Sequence, residues 1–269
     1  MDVPRETPDL AVQVFGAQIP GPPLLLLHAF PLDRSMWATV LPRLDGLAPV
    51  VAVDLPGFGA SPLPEGEPSL DLAADGVAAV LDRLGRRAAV LAGVSMGGYV
   101  ALAFARRHRD RVAGMALIDT KAETDPEPAR ENRERIAAAV LGEAGSRALA
   151  PMIDTLLGAT SHADRPELVR GVAEAVAAAP VTGVAWAQRA MAARTDTREV
   201  LAGLDVPVAV VVGEEDPLSP PSTAAAMAAT ARDAVLSVLP RTGHLSPLES
   251  PGPVADALIG LLLRVSARR

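Results

Sequence analysis

The sequence contains no cysteine, and this absence removes several kinds of chemistry from consideration. Disulfide bonds, zinc sites built from thiolates and cysteine nucleophiles are all excluded. A chain without cysteine is compatible with a reducing compartment, and we expect a cytoplasmic location. The first ten residues contain two prolines and charges of both signs, a pattern that differs from a secretory signal peptide.

Aromatic residues are scarce, at 3% of the chain, yet hydrophobic residues reach 49% of the 269 positions. The chain is therefore expected to bury a large core built from Ala, Val and Leu. Its uninterrupted apolar runs are short, such as residues 24–27 and 261–263, and none approaches the roughly 18 residues of a membrane-spanning helix. We expect no membrane partner.

Positive charge is limited, since 25 Lys and Arg residues face 32 Asp and Glu residues and the net charge is −7. Nucleic-acid phosphates bind clustered Lys and Arg, so this balance argues against a nucleic-acid partner. The one basic run, residues 106–111, falls at the end of a predicted helix, where the helix dipole favours cations.

Motifs that bind nucleotides or metal ions are also missing. The nearest match to the dinucleotide motif G-x-G-x-x-G, at Gly57 and Gly59, has Pro62 in the third glycine position. The sequence has no G-x-x-x-x-G-K-[ST] and no H-E-x-x-H, and its four histidines are scattered. We therefore expect neither a cofactor nor a bound metal ion.

Short apolar runs alternate with helical patterns along most of the chain. The runs predict buried strands over residues 23–27, 50–53, 88–92, 112–118, 206–212 and 234–239. The helical patterns cover residues 33–44, 70–84, 96–108, 222–231 and 254–265. This alternation predicts an α/β fold with a mostly parallel central sheet flanked by helices.

Residues 120–196 break the alternation with four helix-like stretches, at 129–140, 146–157, 166–178 and 181–193. Asp164 and Glu167 give the third stretch a capping-box pattern. The insertion is too long for a simple crossover, so we expect a helical cap inserted over the C-terminal edge of the sheet. The predicted core is then residues 1–119 and 197–269, and the cap is residues 120–196.

The sequence from Gly93 to Gly97 matches G-x-S-x-G, with Ser95 at its centre. The match follows a predicted strand and opens a predicted helix, which is the context that a nucleophile elbow requires. A serine hydroxyl needs a base. Among the four histidines, His244 alone follows Ser95 in the chain just past a predicted strand, so it is the candidate base.

Two carboxylates follow strands between Ser95 and His244, and either one could orient the base. Asp119 directly follows one strand, whereas Asp216 lies in a short loop beside Glu214 and Glu215, which could compete with it. We favour Asp216 because its loop is better placed to expose a carboxylate.

The oxyanion hole of such an elbow uses the N–H of the residue after the nucleophile and an N–H from an earlier loop. These positions indicate Met96 and a residue of the sequence from His28 to Pro31. We choose Phe30, because Pro31 has no N–H to donate.

With these landmarks the chain resembles the α/β-hydrolase superfamily, and particularly its small esterase and 3-oxoadipate enol-lactonase-like members. The resemblance is carried in order by residues 24–30, 54–61, 93–98, 213–217 and 243–244. It implies the roles given above for Ser95, Asp216, His244, Phe30 and Met96. The chain has Ala29 where the family usually has glycine, and its segment before Leu24 is short for the two leading antiparallel strands of the family.

The resemblance implies a serine hydrolase for carboxylic esters or lactones of small to medium, mostly uncharged substrates. A perhydrolase, acyltransferase or C–C hydrolase using the same triad stays open, and a non-catalytic ligand-binding protein is less favoured. We expect the apolar residues Met152, Leu156, Trp186 and Met191 of the cap to line the substrate pocket. Arg189 and Arg194 could each act as a single anchor for a charged group.

Overall fold

A computed structural model describes residues 9–268 of the chain. The part of the predicted core formed by residues 1–8, and the sequence interpretation made for them, lie outside the described residues. Seven strands form one sheet: β1 (Val12–Phe15), β2 (Leu24–Leu27), β3 (Val50–Val53), β4 (Ala89–Val94), β5 (Val112–Ile118), β6 (Val208–Gly213) and β7 (Ala234–Leu239). Their order is β1-β3-β2-β4-β5-β6-β7, and only β1 runs antiparallel to its neighbour.

The helices are α1 (Leu41–Leu44), α2 (Leu70–Arg83), α3 (Met96–Arg107), α4 (Glu127–Leu141), α5 (Ile153–Leu156), α6 (Ala159–Asp164), α7 (Pro166–Ala178), α8 (Val181–Ala192), α9 (Arg198–Gly203), α10 (Pro221–Thr230), α11 (Ser246–Glu249) and α12 (Pro251–Ala267). Three 3₁₀ helices cover Arg34–Trp37, Arg109–Arg111 and Gly145–Met152. Helix α3 contacts α2 and α9, and α9 also contacts α10. Helix α12 contacts α1 and α11. The mostly parallel sheet with flanking helices confirms the predicted fold class.

The central strands are buried because both faces of the sheet are covered. Every residue of β2, β3, β4 and β6 is buried, which explains the nearly continuous apolar runs in the sequence. Strand β1 was not predicted: it is four residues long and only half buried, so it leaves no apolar run. Within residues 9–268 it is the one antiparallel strand that precedes β2.

Strand order reverses at β2, which pairs with β3 on one side and β4 on the other. Open parallel sheets bind ligands in the crevice beyond the carboxyl ends of their strands at such a reversal. The loops that leave β2 and β4 therefore meet at one place, and these loops carry Phe30 and Ser95.

Helices α4 to α9 all lie between β5 and β6. This matches the absence of strand patterns in residues 120–196, although the division of the chain into a core and a cap stays a prediction. Two predicted helices are interrupted, because a proline lacks the N–H that a continuous helix needs. Residues 33–44 form a 3₁₀ helix and α1, with Pro42 in the first turn of α1, and residues 146–157 form a 3₁₀ helix containing Pro151 and then α5.

The predicted capping box at Asp164 was wrong. Asp164 is the last residue of α6, and α7 starts with Pro166 after Arg165, which makes no side-chain capping hydrogen bond. Proline suits the first turn of a helix because its missing N–H has no helical partner there. Within residues 9–268, no single helix is long and apolar enough to cross a membrane. Helices α7 and α8 meet those criteria only as a pair, and they are bent by 93°.

Candidate active site

Ser95 occupies the turn between β4 and α3 with φ +52° and ψ −113°, a conformation that non-glycine residues rarely adopt. The turn is tight because the start of α3 packs directly on the end of β2. A Cβ atom added to Gly97 would collide with the carbonyl group of Leu27. The Ser95 N–H donates to the carbonyl oxygen of Ile118 at 2.9 Å, which fixes the turn to β5.

The structure brings Ser95, His244 and Asp216 into one hydrogen-bonded chain. The Oγ atom of Ser95 lies 2.8 Å from His244 Nε2, and His244 Nδ1 lies 2.8 Å from Asp216 Oδ2. A carboxylate can only accept, so Nδ1 carries the proton and Nε2 is free to accept from the serine hydroxyl. Both His244 and Asp216 are buried, and Ser95 is half buried.

Asp216 is held by the loop that follows β6. Its Oδ1 atom accepts hydrogen bonds from the N–H groups of Leu218, at 2.8 Å, and Ser219, at 3.0 Å, which leaves Oδ2 for His244. Burial lowers the pKa of His244, but the hydrogen bond and charge of Asp216, joined by the charges of Asp119 and Glu249, outweigh burial and raise the pKa above its usual value.

Asp119, the other acid considered from the sequence, does not contact His244. Its carboxyl group accepts from the N–H of Gly213 at 3.0 Å and from the N–H and hydroxyl of Ser246 at 3.0 and 2.9 Å. Burial raises the pKa of Asp119 to about 8, and the charge of Asp216 adds to the rise. Asp119 therefore supports the loops of Gly213 and Ser246, and Asp216 is the carboxyl that contacts His244.

Phe30 lies in the loop after β2, and Met96 follows the turn after β4, so both residues are next to the point where the strand order reverses. Met96 is the first residue of α3, where the N–H has no acceptor inside the helix. Within residues 9–268 the N–H of Phe30 makes no hydrogen bond. His28 fixes this loop, since its Nδ1 lies 3.0 Å from the carbonyl oxygen of Ala29 and its Nε2 accepts from the N–H of Leu55 at 2.8 Å. Burial lowers the pKa of His28, which suits this neutral role.

The loop that carries His244 is attached to the start of α6 through one buried carboxylate, that of Glu249. Its Oε1 atom accepts from the N–H groups of Gly243, at 3.0 Å, and Leu245, at 3.3 Å, on either side of the histidine. Its Oε2 atom accepts from the N–H of Gly158, at 2.9 Å, and from the hydroxyl of Ser161, at 2.6 Å. One side chain thus joins the histidine loop to the start of α6.

The loop that carries Asp216 is attached to the same helix start. Glu215 accepts from the N–H and the hydroxyl of Thr160, at 2.8 and 2.6 Å, and these hydrogen bonds lower the pKa of Glu215. The backbones are in direct contact, because a Cβ atom on Gly243 would collide with Gly158 and Leu157. The contact of Glu215 explains why it does not compete with Asp216 for His244.

A cavity of about 340 Å³ opens beside Ser95 and His244. Phe30 and the predicted pocket residues Met152, Leu156 and Met191 line it, whereas Trp186 does not. Helical periodicity explains the difference: Gln188 and Met191 are three residues apart on one face of α8, and Trp186 lies about 200° around the helix from Gln188. The structure thus places Trp186, which is buried, away from this wall.

The cavity wall also contains an ion cluster that the sequence analysis missed. Asp125 is surrounded by three cations: Lys121 Nζ at 3.3 Å, Arg133 Nε at 2.6 Å and Arg194 at 2.5 Å. Burial favours the neutral acid, but the hydrogen bond from Arg194 and the charge of Arg133 outweigh it and hold the pKa of Asp125 well below its usual range.

A sequence signal for this wall exists in α4. Ala129, Asn132, Arg133 and Ile136 all line the cavity, and their spacing of i, i+3, i+4 and i+7 is that of one helix face. Two polar residues in that stripe mark a face directed at a polar space. Within residues 9–268, no group of three or more His, Asp and Glu side chains is placed to hold a metal ion.

A model of the alpha/beta hydrolase fold family matches residues 22–251. The chain belongs to the α/β-hydrolase fold family. This confirms the resemblance carried by the elbow, the histidine loop and the strand ends. The pimeloyl-[acyl-carrier protein] methyl ester esterase of Neisseria meningitidis is 33% identical over 212 residues, which cover 73% of this chain and 76% of the relative.

Two solved structures support the same placement within the α/β hydrolases. A thermophilic esterase from Thermogutta terrifontis, solved with malate bound, is 40% identical with a TM-score of 0.91, covering 96% of this chain and 94% of its own. The enol-lactonase from Burkholderia xenovorans LB400 is 25% identical with a TM-score of 0.87, covering 97% of this chain and 99% of its own.

Proposed function

We propose that this α/β hydrolase cleaves carboxylic esters or lactones through an acyl-enzyme intermediate. The observation that carries the proposal is the chain of two 2.8 Å hydrogen bonds from Ser95 through His244 to Asp216, at the mouth of a cavity. The similar proteins named above are esterases and a lactonase, which favours hydrolysis over the other reactions that the same triad supports.

In the first half of the reaction, the Oγ atom of Ser95 attacks the carbonyl carbon while His244 Nε2 takes the hydroxyl proton. The N–H groups of Phe30 and Met96 stabilise the negative oxygen of the tetrahedral intermediate. His244 then protonates the leaving alkoxide, and the ester bond breaks to leave the acyl group on Ser95.

In the second half, His244 takes a proton from water, and the hydroxide attacks the acyl-enzyme. The intermediate collapses, the proton returns to Ser95 Oγ, and the carboxylic acid leaves. Asp216 keeps the Nδ1 proton in place and stabilises the imidazolium formed in each half. Leu156 and Met191 add buried apolar surface to the wall of the cavity that holds Ser95, which limits the access of water to the reacting groups.

The cavity volume also supports a limit on substrate size. A space of about 340 Å³ lies near the lower end of the range for small-molecule sites. We therefore favour small to medium esters, and faster turnover of a C12 than of a C4 ester would contradict this part of the proposal. We also propose that the enzyme is cytoplasmic and that it has no nucleic-acid partner. Cell fractionation tests the location, and a gel-shift assay tests for nucleic-acid binding.

The Ser95→Ala variant tests the assignment directly. Hydrolysis of p-nitrophenyl acetate should fall roughly 10³-fold or more, because the acyl-enzyme route is lost. A fluorophosphonate probe should label the wild-type protein and the Ser222→Ala control, whose serine is exposed on α10, but not Ser95→Ala. Labelling of Ser95→Ala at wild-type level would overturn the assignment. Labelling without turnover of any ester would instead favour acyl transfer, perhydrolysis or C–C cleavage.

A further inference from the structure

We propose that the substrate carries a carboxylate group, which Lys121 and Arg133 bind in the cavity that holds Ser95. The inference rests on the proposed function and names its substrate class: esters whose short hydrocarbon part ends in a free acid. The sequence had suggested a mostly uncharged substrate because no cation cluster was visible in residues 120–196. The cluster forms only when the chain folds.

The negative charge of the cluster is covered by protein. The Asp125 side chain is 1% exposed, and Arg194 binds both of its oxygens, at 2.5 and 2.8 Å. The Arg194 side chain is itself only 5% exposed and stacks on the ring of Tyr99 at 4.2 Å. Arg194 and Asp125 thus form a buried pair. Because they lie near the two ends of residues 120–196, the pair joins these ends to each other.

The positive charges that remain face the cavity. The side chains of Lys121 and Arg133 are 26% and 19% exposed, and both line the wall. Arg133 uses Nε for Asp125 and Nη1 for Gln188, at 3.2 Å, and its Nη2 has no acceptor within residues 9–268. Two cations therefore share one carboxylate that Arg194 already neutralises.

Asp125 is the one acid of the described chain that lines this cavity, so its single negative charge faces three cations. The charge of Glu123 acts on Arg194 from outside the wall, which leaves Lys121 and Arg133 with a surplus of positive charge. A ligand carboxylate supplies the missing negative charge, and it accepts charge-assisted hydrogen bonds from the free Nη2 of Arg133 and from Lys121. Asn132 adds a neutral amide donor to the same wall, while Ile136 and Met152 contact the hydrocarbon part. The cavity thus places cationic, polar and apolar groups in one wall together with Ser95.

Hydrolysis of such a substrate balances with water alone. A half-ester of a dicarboxylic acid gives the dicarboxylate and an alcohol. An ester of a hydroxy acid gives a carboxylate and the free hydroxy acid. The two differ in whether the bound carboxylate lies in the acyl part or the alcohol part.

Four esters test the inference: monomethyl glutarate against dimethyl glutarate, and 3-(butyryloxy)propanoate against its methyl ester. We expect the wild-type protein to prefer the free-acid member of at least one pair, and the pair affected identifies the part that carries the carboxylate. In Lys121→Met and in Arg133→Met, the ratio of kcat/KM for that acid to kcat/KM for its neutral partner should fall about 10- to 100-fold. The Arg130→Met control removes a cation from the same helix outside the cavity and should keep the ratio.

Fluorophosphonate labelling of Ser95 verifies that each variant is folded. Should Arg133→Met fail that check, Lys121→Met decides, since its one ion pair leaves the Asp125–Arg194 pair intact. Equal turnover of acid and neutral members in the wild-type protein overturns the inference while leaving the proposed function standing. A lack of turnover of all four esters, with no labelling, overturns the proposed function and this inference with it.

Discussion

Asp125 and Glu249 are both buried carboxylates at places where residues 120–196 meet the rest of the chain, but their charges are compensated differently. Asp125 contacts three cations, whereas Glu249 accepts only from neutral N–H and O–H groups. Ion pairing leaves a surplus of positive charge in the cavity. Neutral hydrogen bonds satisfy the oxygens of Glu249 without cancelling its negative charge. This charge helps to raise the pKa of His244.

The largest expected effect comes from Glu249→Ala. The change leaves the N–H groups of Gly243, Leu245 and Gly158 and the hydroxyl of Ser161 without their acceptor. Each buried donor left unsatisfied costs roughly 1–3 kcal/mol, so we expect the free energy of unfolding to fall by about 4 kcal/mol. Urea denaturation measures this fall, with Glu131→Ala on the exposed side of α4 as the control. Equal urea midpoints for Glu249→Ala and Glu131→Ala would show that the hydrogen bonds of Glu249 do not contribute to stability.

A smaller loss of stability is expected for Asp125→Asn at neutral pH. We expect about 3 kcal/mol, the lower end of the roughly 3–5 kcal/mol for breaking a buried pair, because Arg194 is buried but Lys121 and Arg133 are partly exposed. The folded protein lowers the pKa of Asp125, so this stabilisation is present above the unfolded pKa of about 3.9 and is lost as the pH falls below it.

Denaturation of Asp125→Asn and wild type across pH 3–8 measures that dependence. The two curves should converge toward the acid end, whereas the exposed control Asp110→Asn should follow wild type throughout. A constant difference at every pH would show that the charge of Asp125 is not what stabilises this region.

The smallest effect concerns the pH dependence of catalysis. His244 must be neutral to act as base, and its raised pKa places the rise of kcat/KM above pH 6.5 in the wild-type protein. Glu249→Gln removes a negative charge and keeps one accepting oxygen, so in the folded variant the rise should move to lower pH. Asp125→Asn should leave its position unchanged. Equal shifts of the pH profile in Glu249→Gln and Asp125→Asn would show that the two carboxylates do not differ in their effect on His244.

The triad was accessible from the sequence because each of its members follows a strand. The parallel sheet brings those strand ends together, and the elbow motif around Ser95 is local. The ion cluster was not accessible, because Lys121 and Arg194 are separated by most of the insertion and meet only through its folding. The fold class followed from alternation, whereas the breaks at Pro42 and Pro151 required attention to single residues within otherwise helical patterns.

Pocket residues were predicted in part for a similar reason. Apolar character alone selected Met152, Leu156, Met191 and Trp186, but it does not tell which face of a helix is turned to the cavity. The three-residue spacing of Gln188 and Met191 carries that information. A polar residue in an otherwise apolar helix is thus a more useful signal of a pocket face than apolar character alone.

The contact between Gly158 and Gly243 sets a limit on how this enzyme can be redesigned. Insertions of this kind are natural units to exchange between related hydrolases when a new specificity is wanted. Here the start of α6 is part of the support of both the histidine loop and the acid loop. A chimera that exchanges α4 and α8 but retains residues 157–161 keeps the catalytic machinery aligned, whereas a graft across the whole insertion must bring its own glycine to that position.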